Sequence, residues 1–89
     1  MISEKDKKAI LDLAKKYRVK RIILFGSASK DKIMSKDIDL AVEGIADKLF
    51  FKFYSELIFS LSKPVDLIDL SKKTKFSKII ATEGIQIYG

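Results

Sequence analysis

The segment Ile22-Ile23-Leu24-Phe25 is apolar at every position and ends at Gly26-Ser27. Side chains on a strand alternate between faces, so a strand that is apolar throughout has both faces covered and sits centrally in a sheet. The following strand is of another kind. In Asp37-Ile38-Asp39-Leu40-Ala41-Val42 the two acids stand at i and i+2. They therefore share one face, roughly 6.5 Å apart along the backbone. Ile38, Leu40 and Val42 share the other face and turn to the core.

The rest of the chain supplies helices to cover such a sheet. Ser3 followed by Asp6 resembles a capping box, and Ile10, Leu13, Ala14 and Tyr17 recur at helical spacing, which predicts a helix over Ser3 to Tyr17. Its lysines form a solvated face. Lys20 to Phe25 is the first strand, Gly26 to Lys36 a polar connection with room for a short helix, and Asp37 to Glu43 the second strand. Asp47 is placed to cap a helix running to Leu61, with Leu49, Phe50, Phe53, Tyr54, Leu57, Ile58 and Leu61 as a broad apolar stripe. Phe51 and Phe59 fall outside it and suggest a second surface. Pro64 opens a third strand, Val65 to Leu70, since proline is tolerated at the first position. A short helix over Phe76 to Thr82 follows, and Ile85 to Tyr88 reads as an extended tail. The expectation is an α/β (α+β) fold, a small mixed sheet flanked by helices, in one domain over residues 1–89.

Composition narrows the chemistry. The chain has 89 residues with no cysteine and no histidine. Disulfides, thiolate or imidazole metal sites and histidine general bases are therefore excluded. Carboxylates, hydroxyls, lysines and a bound metal remain. No apolar run approaches the ~20 residues of a membrane span, and no signal peptide is legible, which predicts a cytoplasmic protein. The net charge of +6 favours anionic partners.

Two carboxylates held side by side repel, and a divalent cation turns that repulsion into shared coordination. A third acid is available in the otherwise apolar third strand. Asp66 completes the cluster if that strand neighbours the second; Asp69 competes, but near the strand end a solvated or capping acid is ordinary. Gly26 lets the backbone approach a ligand closely, Ser27 and Ser29 offer hydroxyl donors, and Lys30 or Lys32 a positive charge. Three carboxylates beside a phosphate-binding turn describe two-metal nucleotidyl transfer with Mg²⁺.

Phe25-Gly26-Ser27, Asp37-Ile38-Asp39-Leu40 and Val65-Asp66-Leu67 together resemble the minimal nucleotidyltransferase (MNT) domains of the polymerase-β-like superfamily. The resemblance covers essentially the whole chain, including the closing Glu83-Gly84-Ile85-Gln86-Ile87-Tyr88. It implies the polymerase-β-like nucleotidyltransferase fold, ATP and Mg²⁺. It also implies a helical HEPN-domain toxin as partner, neutralised by binding, by AMPylation of a tyrosine, or by both. Carried over by residue, Gly26 and Ser27 would hold the triphosphate, with Ser29 and Lys30 beside them. Asp37 and Asp39 would be metal ligands, and Asp66 the third acid. The chain departs from the family pattern at Asp31, where glycine is usual, and at Lys36, where serine is usual. A binding-only antitoxin is the alternative reading, and a basic nucleic-acid-binding module a weaker one. Homo-oligomers are compatible with the spare aromatics.

Overall fold

The computed structural model describes residues 2–26, 37–72 and 75–89, the side chain of Phe76 aside. The elements run α1 (Glu4–Lys16), β1 (Arg21–Phe25), β2 (Ile38–Glu43), α2 (Asp47–Ser60), β3 (Val65–Asp69), α3 (Lys75–Glu83) and β4 (Ile85–Tyr88). The strands form one mixed sheet in the order β3-β2-β1-β4. β1 is antiparallel to both β2 and β4, and β2 is parallel to β3. The apolar β1 is therefore central, and the segment expected as a tail is an edge strand paired with it.

Helix α1 begins at Ser3, whose Oγ accepts a hydrogen bond from the Asp6 backbone N–H at 3.1 Å. The Asp6 carboxylate does not close the box. It accepts instead from the Ser62 backbone N–H (3.1 Å) and from Ser62 Oγ (2.6 Å), just beyond α2. Only 3% of Asp6 is exposed, and two donors satisfy a carboxylate that would otherwise be costly to bury. Helix α1 ends in a left-handed turn at Arg18, with the Arg18 N–H bonded to the Lys15 carbonyl and the Val19 N–H to that of Ala14. Helix α2 starts after Ala46, which makes no side-chain cap; Asp47 lies inside the first turn, where its charge suits the helix dipole.

The two faces of the sheet differ. Ile22, Leu24, Ile38, Leu40, Val42, Val65 and Leu67 pack on Ile10 and Ala14 of α1 and Phe53 and Leu57 of α2. Tyr17 meets Phe53 edge-on at 5.3 Å. On the opposite face Ile23, Ala41, Leu70 and Ile80 form a smaller cluster under α3, with Phe25 and Ile68 at its margin. Helix α3 lies close here because Gly84 has no side chain; a Cβ there would stand 2.4 Å from Ile23 Cγ2.

Candidate active site

Strand register assembles the carboxylates. On the α3 face, Phe25 of β1 stands opposite Asp39 of β2, and Asp39 opposite Asp66 of β3. Neighbouring strands lie about 4.8 Å apart, so Asp39 and Asp66 are immediate neighbours. The next row on that face is Ile23, Ala41 and Ile68. Helix α3 covers the apolar rows with Ile80. The acidic row stays accessible: Asp37 and Asp66 are exposed and Asp39 half-buried.

Two bonds hold this end of the β2–β3 pair. The Ile38 N–H donates to the Pro64 carbonyl at 2.8 Å, and the Tyr54 hydroxyl of α2 donates to the Val65 carbonyl at 2.9 Å. Tyr54 thus ties the residue before Asp66 to the covering helix. As a core aromatic it carried no sequence signal of that role, which depends on the β3 backbone passing beside it.

Asp39 is the electrostatic centre. Burial raises its pKa above the ordinary carboxylate value, and the charges of Asp66 and then Asp37, with hydrogen bonding to Asp66, push the same way. Gly26 is pressed against it. Its φ is +71°, and an added Cβ would lie 2.3 Å from Asp39 Oδ2. A side chain at Gly26 would take the space against the Asp39 carboxylate.

Asp69 is on the other face, and its Oδ1 accepts from the Ser71 N–H (3.0 Å) and Ser71 Oγ (2.6 Å). It stabilises the turn after β3 and does not join Asp39. Ser27, Ser29 and Lys30, with Asp31, Lys32 and Lys36, lie outside the described residues.

Among the described residues, no group of three or more acids is placed to hold a metal ion. The donor set nevertheless suits a hard divalent cation. It is all oxygen, it stands beside a side-chain-free backbone, and the repulsion from Asp66 and Asp37, which adds to burial in raising the Asp39 pKa, is what a cation would relieve.

The family model described as "Polymerase beta, Nucleotidyltransferase" matches residues 8–89. The chain belongs to the polymerase β nucleotidyltransferase family. Its fold is similar to chains of several solved toxin–antitoxin complexes. One, crystallised with AMP-PNP, is 27% identical with a TM-score of 0.76, over 93% of this nucleotidyltransferase and 73% of that chain. A second contains a tri-AMPylated HEPN toxin of Shewanella oneidensis in complex with an MNT antitoxin; it is 27% identical with a TM-score of 0.72, over 94% and 70% of the two chains. A mutant of a MntA toxin–antitoxin pair is 26% identical with a TM-score of 0.75, over 93% and 72%. No curated protein matches. No helix among the described residues of this nucleotidyltransferase is long and apolar enough to cross a membrane.

Proposed function

We propose that the protein transfers AMP from ATP to a hydroxyl, a tyrosine of a cognate HEPN-domain toxin, and so acts as that toxin's antitoxin. The observation that carries the proposal is the row on the α3 face, with Asp39 and Asp66 in register beside Gly26. Its closest chemical support is the likeness to complexes that contain AMP-PNP and an AMPylated toxin.

Asp37, Asp39 and Asp66 would hold Mg²⁺. Bound there, it would offset the charge of the triphosphate and make the acceptor hydroxyl more acidic. The backbone at Gly26, with Ser27, Ser29 and Lys30, would hold the triphosphate and turn the α-phosphate toward the acids. A bond forms between the acceptor oxygen and the α-phosphorus while the α–β phosphoanhydride breaks. Pyrophosphate leaves with the electron pair, and Asp66, the more exposed of the facing acids, takes the hydroxyl proton.

The test is incubation with ATP, Mg²⁺ and the cognate HEPN protein, followed by intact mass of both chains. A gain of one or more AMP units on the HEPN protein is expected, and Asp39→Asn and Asp37→Asn should each abolish it. A stable complex with no added mass would overturn transfer in favour of neutralisation by binding. Full activity in both variants would remove the carboxylates from the mechanism.

A further inference from the structure

The outer side of α2 is not explained by the fold or by the carboxylate row. Phe51 is 75% exposed, Ile58 53% and Phe59 89%. Three large apolar groups on one helix face exceed the scattered single residues that surfaces ordinarily carry. Phe51, Ser55, Ile58 and Phe59 stand at i, i+4, i+7 and i+8, so they form one stripe along the helix. Ser55 is its midpoint, with Phe51 and Phe59 each about 6 Å away along the axis. The Ser55 hydroxyl donates to the Phe51 carbonyl at 2.9 Å, so covering it leaves no donor unpaired.

We infer that this stripe docks a second copy of the chain, with two α2 helices crossing antiparallel at Ser55 on a two-fold axis. A two-fold interface uses one patch twice and must be complementary to itself. Reversal about Ser55 brings Phe51 of one copy level with Phe59 of the other, on both sides of the axis. The smallest side chain of the stripe then stands where the helices come closest.

Charge fits the same arrangement. Glu56 accepts from Lys16 and Tyr17, so it and Lys52, one turn before it, lie on the flank of α2 nearer α1, and in an antiparallel pair that flank meets its own copy. Lys52 then comes within about 3 Å, along the axis, of the level of Glu56 in the other copy, and stays about 9 Å from the other Lys52. Lys52 makes no ion pair among the described residues, although its charge already acts on Glu56 of its own helix. The charge of +6 on each copy opposes association at long range, so added salt strengthens the dimer. The stripe is across the sheet from Asp39 and Asp66. Pairing therefore leaves the acidic row open and does not depend on the transfer reading.

Light scattering after size exclusion should give a dimeric mass for the wild type and a monomeric one for Phe51→Glu and Phe59→Glu. Both side chains are largely exposed, so circular dichroism should show these variants folded. The chain has no cysteine, so Ser55→Cys adds one thiol at the proposed axis. A short bismaleimide should link Ser55→Cys into dimers and leave Lys48→Cys, about 21 Å from its counterpart along the axis, unlinked. A wild type monomeric at high micromolar concentration and raised salt would overturn the inference. So would a dimer that survives both phenylalanine changes, or one linked more readily at Lys48→Cys. A monomer that binds the HEPN protein through Phe51 and Phe59 would also overturn it and assign the stripe to that protein.

Discussion

At the scale of single residues, Gly26 and Asp39 are a pair in which each limits the other. The φ of +71° at Gly26 is a region where an L side chain costs about 1–2 kcal/mol. The 2.3 Å approach to Asp39 Oδ2 means an added methyl must move the carboxylate as well. Gly26→Ala should therefore lower stability by about 1 kcal/mol or more. It should also weaken ATP binding about tenfold, a 1.4 kcal/mol effect, readable by calorimetric titration. The acids on β3 separate by role. Asp66→Asn should reduce AMP transfer on the order of 100-fold, the scale of losing one charge-stabilising group. Asp69→Asn should leave transfer intact and cost less than about 1 kcal/mol, because an amide oxygen can still accept from Ser71. Assay of both variants under identical conditions reverses the assignment if Asp69 proves the more damaging. From sequence both acids stand between apolar neighbours, and only the place of Asp69 near the strand end, where a solvated or capping acid is ordinary, favours Asp66. The register of β3 on β2, which places Asp66 opposite Asp39 and Asp69 opposite Val42, tells them apart.

At the scale of elements, the N-terminus of α1 is joined to the chain beyond α2 by one buried carboxylate. Asp6 accepts both the backbone and hydroxyl protons of Ser62, while Ser3 caps the helix on its own. Asp6→Ala strands a backbone N–H and should cost about 1–3 kcal/mol, against about 1 kcal/mol for Ser3→Ala. Chemical denaturation of the two variants should rank them in that order. The local spacing Ser3-x-x-Asp6 looked like a capping box. A shorter acid closes such a box poorly, and Ser62 offered two donors from 56 residues away. The same limit applies to Asp47, which suits a helix start by type yet lies one position inside it, behind an Ala46 with no capping side chain.

At the scale of the whole molecule, the charge pattern gives stability opposite pH slopes from different places. The folded-state pKa of Asp39 is raised, so the native protein holds a proton that the unfolded chain releases, and stability falls as pH rises from the ordinary carboxylate value through the raised one. Without metal, Asp39→Asn should melt higher than the wild type at neutral pH, and the gap should close in acid. Added Mg²⁺ should raise the wild-type melting temperature and leave that of Asp39→Asn unchanged. Across the molecule, Glu56 is held below its usual pKa by hydrogen bonds from Lys16 and Tyr17, and its contribution is lost as pH falls through the lowered value. The bond from Tyr17 to Glu56 and its burial push the tyrosine up to about 12. That contribution is present below the usual tyrosine value of about 10 and disappears as pH rises to about 12. Melting curves of Tyr17→Phe across this interval should lack the corresponding drop.

Neighbours along the chain determined the apolar β1, the paired acids Asp37 and Asp39, the helical stripes and the outlying Phe51 and Phe59. Each is a local period or composition that needs no knowledge of the partner surface. The tertiary structure alone decided which strands pair and in what register. Ile85 to Tyr88 carries too short a pattern to distinguish a tail from a strand, and becomes β4 because β1 offers an unpaired edge. Asp6 takes Ser62 and Tyr54 secures Val65, through contacts between residues 56 and 11 apart in sequence. Such contacts are set by the tertiary structure, because only the packed sheet and its covering helices bring those groups within hydrogen-bonding distance.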